Sequence, residues 1–203
     1  MSGALLPDGV SLEAGEQARA DVYRLLGALL AAPPGAALLE LLRGITPGED
    51  GQESAMTADW QTLQAAAERA DPAALEDEYF NLFIGLGRGE LVPYASFYIH
   101  GFLMEKVLAS LRDELAVLGI VRRSGVAEPE DHAAALCEIM GMIIDGSSLQ
   151  FKQLAFFERY IDSWMGRFFE DLGNAGAAEF YRAVALLGQQ FLAVERQYFT
   201  LPG

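Results

Sequence analysis

The stretch D-P-A-A-L-E-D-E-Y-F-N-L-F-I-G, residues 71–85, decides the fold class of this chain. Asp71 is a preferred helix-capping residue, and Pro72 suits the first position of a helix. The apolar residues that follow recur at helical spacing and are Leu75, Tyr79, Phe80, Leu82 and Phe83. Because the glycines at 85, 87 and 89 are poor helix residues, we expect this helix to end near Gly85.

The same pattern of helices and short breaks extends to both sides. On the N-terminal side it predicts a helix from about Leu12 to Ala32, a short helix over 38–42, a loop over 44–59 and a helix capped by Asp59. On the C-terminal side it predicts one long helix from about Ser96 to Leu118, a helix starting at Pro129, a helix opened by Ser147 and Gln150, and a last helix over 180–194. No segment shows the alternation of a strand, so the sequence predicts an all-α helical bundle of about nine or ten helices.

The chain divides into two helical parts around a central linker. We expect an N-terminal helical part over 1–119, a hinge linker over 120–128 that contains Gly125, and a C-terminal helical part over 129–203. The two parts are expected to form one compact domain, since about 200 residues fit a single core.

The composition narrows the classes of partner and compartment. With 14 Lys and Arg against 29 Asp and Glu, the net charge is −15, which argues against binding nucleic acid or inserting stably at an anionic membrane surface. The single cysteine, Cys137, forbids an internal disulfide. No apolar run reaches the roughly 18 residues needed to span a bilayer, and no basic region precedes Pro7 and Asp8, so we expect a cytoplasmic protein.

Residue types for catalytic and metal sites are scarce. His100, His132 and Cys137 cannot supply a usual zinc ligand set. The segment G-L-G-R-G-E, residues 85–90, has Glu90 in place of the third glycine of a dinucleotide fingerprint, and we interpret it as a flexible turn. The acidic cluster 76–78 lacks a calcium-loop pattern and is interpreted as a solvated face. We therefore expect no catalytic residue, no metal and no cofactor.

Two segments combine aromatic and acidic residues in an unusual way. In the first, residues 75–98, Tyr79, Tyr94 and Tyr98 are candidates for a binding surface, whereas the helical spacing of Phe80 and Phe83 is more typical of a helix core. The second segment, 128–145, has five acids and no Lys or Arg. For these residues a structural explanation stays open beside a binding role. A helix dipole would favour Glu130 and Asp131 in a first helical turn, and His132 could be a partly buried histidine.

These segments carry a resemblance to a known family. Y-F-N-L-F-I-G over 79–85, P-Y-A-S-F-Y over 93–98 and E-P-E-D-H over 128–132 resemble the three signature stretches of the TorD/DmsD cytoplasmic chaperones. The aromatic helix over 153–169 is similar to that family as well. The resemblance extends from Glu76 to about Phe191.

The resemblance implies a TorD-like chaperone that binds the twin-arginine signal peptide of a molybdopterin oxidoreductase precursor. It implies a client of the DMSO/TMAO reductase type, no catalytic activity, and a monomer or a domain-swapped dimer. The peptide-binding residues it implies are Tyr79, Phe80, Phe83, Pro93, Tyr94, Ser96, Tyr98, Glu128, Pro129, Asp131 and His132. The residue types agree, because paired guanidinium groups beside an apolar run require carboxylates next to an apolar surface.

Other functions remain open from the sequence. The same family contains nitrate-reductase assembly chaperones, whose client is not necessarily exported. An enzyme with His132 as a base and a generic helical interaction module are further alternatives. Arg122 and Arg123 in the linker could also mimic the arginines of a client.

Overall fold

The computed structural model describes residues 12–45, 55–102, 105–121, 128–146 and 150–200, and these ranges form ten α-helices and no strand. The helices are α1 (Leu12–Ala31), α2 (Ala36–Arg43), α3 (Ala55–Arg69), α4 (Pro72–Tyr79), α5 (Ala95–His100), α6 (Glu105–Val117), α7 (Ala133–Gly146), α8 (Gln150–Phe156), α9 (Met165–Asn174) and α10 (Phe180–Thr200). Two π-helical segments, Phe80–Ile84 and Phe157–Asp162, continue α4 and α8. The predicted all-α fold is confirmed. In the ranges that the structure describes, no helix has the length and apolarity to cross a membrane.

The start and stop signals around residues 71–85 act as predicted. A carboxylate oxygen of Asp71 accepts the backbone N–H of Ala74 at 3.0 Å and so caps α4. Gly85 ends the π-helical segment with φ +63°, a conformation that favours glycine, and its N–H donates to the carbonyl of Phe80 at 2.7 Å. The first helix also ends within one residue of the predicted position.

Two other helix predictions, one on each side of this stretch, are wrong. α3 begins at Ala55, so Asp59 lies inside the helix and does not cap it. The helix predicted over 96–118 is two helices, because Gly101 adopts φ +82° and its N–H closes α5 on the carbonyl of Phe97 at 2.7 Å. The break therefore depends on one left-handed glycine within an otherwise continuous apolar pattern.

The start of α7 also differs from the prediction. α7 begins four residues after Pro129, because His132 occupies the capping position and its Nδ1 accepts the N–H of Ala134 at 3.1 Å. Glu130 and Asp131 thus precede the helix, and their interpretation as first-turn acids is wrong. The predicted capping residue Ser147 and the linker residues Arg122, Arg123 and Gly125 lie outside the described residues.

The hydrophobic core joins helices from both ends of the chain. α1 packs along α7, while α10 packs against α3 and α9. The largest fully buried side chains are mostly aromatic and include Trp164, Tyr23, Tyr181, Phe156, Phe157, Phe168, Phe169 and Phe191. Packing between α9 and α10 is tight, because a Cβ atom at Gly188 would lie 2.5 Å from the ring of Phe169.

A buried ion pair ties α1 to α10. Arg19 Nε donates to Glu195 Oε1 at 2.6 Å, and Glu195 is fully buried. The side chain of Gln153 in α8 accepts from Arg19 at 2.8 Å, and the hydroxyl of Tyr23 donates to Glu195 at 3.0 Å. Each buried polar group of this cluster thus has a partner, which offsets the cost of its desolvation.

Two glutamates on either side of the π-helical segment Phe80–Ile84 attach this part of the chain to the start of α10. Glu78 accepts the backbone N–H groups of Glu179, Phe180 and Tyr181 at 2.8, 3.1 and 2.8 Å. Glu90 accepts those of Gly176 and Ala177 at 2.6 and 3.1 Å. The interpretation of residues 76–78 as a solvated face is therefore wrong for Glu78, which caps a helix N terminus. The turn over 85–90 is likewise anchored at its end through Glu90.

Candidate functional site

A groove of about 1060 Å³ lies between α1, α6, α7 and the part of the chain from Tyr79 to Tyr94. Its apolar lining consists of Ala31, Ala32, Pro33, Tyr79, Phe83, Ile84, Pro93, Tyr94, Leu115, Ala116, Ile120, Val121, Ala134, Ala135, Ile139 and Met142. Its charged and titratable lining consists of Arg24, Arg112, Glu128, Glu130, His132 and Glu138. A groove of this volume and mixed character offers a ligand both an apolar surface and charged groups.

The aromatic part of the groove is held by ring packing and one hydrogen bond. The rings of Tyr79 and Phe83 pack at 4.9 Å between centroids, and Phe83 packs edge-on against Tyr181 at 5.4 Å. The hydroxyl of Tyr79 donates to the carbonyl of Leu30 in α1 at 3.2 Å. Burial, with a contribution from Glu128, raises the pKa of Tyr79 to about 12, so it stays a neutral donor.

One wall of the groove is a short antiparallel pairing between residues 93–96 and 131–133. The N–H of Ala95 donates to the carbonyl of Asp131 at 2.9 Å, and the N–H of Ala133 donates to that of Pro93 at 2.8 Å. The Asp131 carboxylate accepts both the N–H and the hydroxyl of Ser96, at 3.1 and 2.7 Å. Since the capping position before Ala95 provides no side-chain acceptor, Asp131 caps α5 from a distant part of the chain.

His132 lines the groove while capping α7. Its ring packs edge-on against Tyr94 at 5.1 Å, and only 6% of its surface is exposed. Burial lowers the pKa of His132, although the charges of Glu128 and Asp131 act in the opposite direction. Because Nδ1 accepts a hydrogen bond, the neutral ring carries its proton on Nε2.

Most charged groups of the groove have partners. The hydroxyl of Tyr94 donates to Glu128, and burial together with this bond raises the pKa of the tyrosine. Arg112 of α6 makes a bidentate pair with Glu130, with N–O distances of 3.0 and 2.8 Å. Arg24 of α1 pairs with Asp21 and Asp145. Glu138 of α7 is exposed and makes no hydrogen bond or ion pair with any other described residue.

The structure brings together part of the predicted binding set. Six of the predicted residues line the groove, namely Tyr79, Phe83, Pro93, Tyr94, Glu128 and His132. Five do not line it, namely Phe80, Ser96, Tyr98, Pro129 and Asp131.

Among these five, Phe80 is 39% exposed outside the groove, and Ser96 and Asp131 hold the wall together from within. Tyr98 ties α5 to α9: its hydroxyl donates to Asp171 at 2.9 Å, and its ring lies 5.3 Å from that of Trp164. These positions indicate that some residues of the signature stretches shape the groove without bordering it.

Sequence reasoning missed the contributions of α1, α6 and α7 to the groove. The lining residues of α7 are Ala134, Ala135, Glu138, Ile139 and Met142, and Met142 is 46% exposed. The signal available in the sequence was Met142, an apolar residue outside the buried stripe of α7. Whether such a residue lines a groove depends on where α6 lies, which the sequence pattern does not reveal.

Comparison with known proteins gives consistent similarities. The model of the family described as nitrate reductase delta subunit matches residues 49–170, more than half of the chain. The chain is 27% identical over 153 residues to the chaperone protein TorD of Aliivibrio fischeri, which covers 69% of this chain and 71% of that protein. It is 26% identical over 170 residues to a protein of Haemophilus influenzae named as a probable Tat proofreading chaperone DmsD, covering 81% and 83% of the two chains.

A solved structure has the same fold. It is a crystal structure of a protein described as a candidate redox enzyme maturation protein from Archaeoglobus fulgidus. The TM-score is 0.61 at 20% sequence identity, over 86% of this chain and 93% of that one. At this identity the similarity shows the fold alone.

Proposed function

This chain belongs to the nitrate reductase delta subunit family, as a TorD/DmsD-type maturation chaperone, and we propose that its groove binds the twin-arginine signal peptide of a molybdopterin oxidoreductase precursor. The client is a precursor of the DMSO/TMAO reductase type. The chaperone holds it in the cytoplasm until the molybdenum cofactor is inserted, and then releases it for export. This role requires binding and release, and it assigns a catalytic step to no residue.

The observation that carries the proposal is the composition of the groove. Tyr79, Phe83 and the aliphatic residues of α6 and α7 offer an apolar surface to a hydrophobic run. Glu128 and Glu138 place carboxylates on the same groove. A twin-arginine leader has both matching features, because it joins two guanidinium groups to an apolar stretch. The net charge of −15 also favours the approach of a basic peptide.

Calorimetric titration of the full chain with a synthetic leader tests this proposal. We expect binding on the order of micromolar for the twin-arginine peptide, since the peptide must order on binding and be released afterwards. A peptide with both arginines replaced by glutamine serves as the control and should bind at least tenfold more weakly. Equal binding of the two peptides, or binding of neither, would contradict the proposal.

Two phenylalanines of one segment provide a matched pair of variants. Phe83 lines the groove and Phe80 does not, although both lie in the π-helical segment after α4. Phe83→Ala should weaken leader binding about tenfold or more, as expected for an aromatic anchor, and Phe80→Ala should leave it unchanged. Thermal melts of both variants separate lost binding from lost fold. A larger loss of binding in Phe80→Ala would place the leader on the outer face of this segment.

A second candidate function is assembly of a nitrate-reductase-type subunit that is not exported. The description of the matching family favours it, because that family is described by nitrate reductase. The two functions differ in what the chaperone recognises. Binding to a client from which the leader has been removed, at the affinity of the intact precursor, supports the assembly function and contradicts leader recognition.

A further inference from the structure

Glu138 occupies a distinct position on the groove. Ala135, Glu138 and Met142 follow one another at spacings of three and four on α7, so they share one helix face, and all three line the groove. The stem of Glu138 lies against Gly27 of α1, where a Cβ atom would lie 3.2 Å from the Glu138 Cγ. The absence of a side chain at Gly27 thus leaves space for this stem between the two helices.

Among the charged groups of the groove, Glu138 differs in having no hydrogen-bond or ion-pair partner in the part of the chain that the structure describes. Glu128, Glu130 and Arg112 are each bonded within the protein, as is Arg24. Within the ranges that the structure describes, no protein group bonds to the Glu138 carboxylate, and the residue is exposed. A peptide lying across Ala135 and Met142 would exclude solvent from it. An unpaired carboxylate would then be buried, which is unfavourable unless the peptide brings a cation to it.

We infer that Glu138 is a specificity-determining residue that receives one guanidinium group of the leader, while Glu128 receives the other; this inference rests on the proposed function. Glu128 lies beside Tyr94, which packs on His132 at the start of α7. Glu138 is six residues further along α7, which corresponds to about 9 Å along the helix axis. Neighbouring side chains of an extended peptide point to opposite sides, so two consecutive arginines can reach two separate carboxylates.

The assignment explains a requirement for two arginines by geometry. A leader with one arginine offers a guanidinium group to only one of the two carboxylates, and when Glu138 is the one left out it is covered without a cation. A lysine carries the charge but lacks the planar pair of donors that binds a carboxylate bidentately. Met142 and Ile139, which follow Glu138 on α7, provide an apolar surface for the residues after the arginines.

The test measures leader affinity when one carboxylate of the protein is neutralised, when one arginine of the leader is replaced, and when both changes are combined. The full chain carries Glu138→Gln, Glu128→Gln or, as a matched control, Glu68→Gln, an exposed glutamate of α3 outside the groove. Each is titrated with the twin-arginine leader and with two leaders in which one arginine is replaced by glutamine. Glutamine keeps the size of the side chain, and thermal melts check that each variant remains folded.

We expect Glu138→Gln to lower the affinity for the twin-arginine leader about tenfold or more, the loss typical of a hydrogen bond to a charged group. Against the single-arginine leader that lacks the partner arginine of Glu138, the same substitution should have no effect. Glu128→Gln should show the reverse dependence on the two peptides, and Glu68→Gln should bind all peptides as the original chain does.

Unchanged affinity of Glu138→Gln, while Glu128→Gln loses affinity, overturns the inference and leaves the proposed function intact. Equal losses in Glu138→Gln for all three peptides also overturn it, because they show that the carboxylate contacts no particular arginine. If the unsubstituted chain binds the twin-arginine leader no better than a leader without arginines, the proposed function itself fails.

Discussion

Replacing Asp131 with alanine separates a structural role of this residue from direct contact with a peptide. The resemblance to TorD/DmsD chaperones implies that Asp131 contacts the peptide, whereas the structure buries it with 1% of its surface exposed. Its carboxylate accepts two hydrogen bonds from Ser96, which is also 1% exposed. The substitution therefore leaves a buried N–H and a buried hydroxyl without their acceptor.

The expected loss of stability follows from these two bonds. Hydrogen bonds to a charged group contribute about 1.5 to 3 kcal/mol each, and part of this gain is offset because the charged Asp131 is itself desolvated. The other carboxylate oxygen, Oδ1, is buried and has no hydrogen-bond partner among the residues that the structure describes, so its removal brings a further gain in stability. We expect Asp131→Ala to lower the free energy of unfolding by about 2 to 4 kcal/mol in total. Ser96→Ala, which removes only the hydroxyl bond, should cost about 1 to 2 kcal/mol.

Urea unfolding followed by circular dichroism measures these losses. With a slope of about 2 to 3 kcal/mol per molar urea, Asp131→Ala should shift the midpoint by about 1 M. Asp77→Ala, on the exposed side of α4, is the control and should leave the midpoint unchanged. Titration of the same variant with the twin-arginine leader completes the comparison. A variant with full stability but weakened peptide binding would refute the structural role and place Asp131 in contact with the peptide.

Two further predictions concern the pH dependence of stability and the packing of α10. Because the pKa of His132 is lowered in the folded chain, the unfolded chain binds the proton first as the pH falls below about 6.5, and stability is lost in that range. His132→Asn, whose side-chain oxygen can still accept from Ala134, should show a shallower loss between pH 6.5 and 5 in urea unfolding, and an equal slope would contradict this origin. Gly188→Ala forces a Cβ atom against the buried ring of Phe169 and should destabilise the chain by about 1 to 3 kcal/mol. Gly173→Ala, which meets only an ordinary contact at 3.6 Å, is the control and should be neutral or stabilising in thermal melts.

The helices could be predicted because their signals are local. Asp71, Pro72 and Gly85 bound α4 and its extension through their own backbone preferences. The prediction failed where one residue outweighed the surrounding pattern. Gly101 interrupts a continuous apolar periodicity, and His132 caps α7 although histidine is not among the usual capping residues.

The candidate site could be predicted in its residue types but not in its arrangement. The aromatic and acidic signature stretches are visible in the sequence, and several of their residues line the groove. The roles of the others depend on partners distant in the chain: Asp131 is 35 residues from Ser96, and Tyr98 is 73 residues from Asp171. The place of Glu138 on the groove likewise depends on the packing of α7 against α1, which no local pattern specifies.

In the π-helical turn over Phe80–Ile84, the number of residues matters as much as their side chains. The N–H of Gly85 bonds to the carbonyl five residues earlier, so the turn holds one residue more than an α-helical turn would. Deleting Asn81 from this turn would let the same bond between Phe80 and Gly85 close an α-helical turn, so the chain from Gly85 onward would keep its place while Phe83 and Ile84 changed direction. Every ring would be retained, yet the lining of the groove would change. The length of this turn therefore sets the direction of its aromatic side chains.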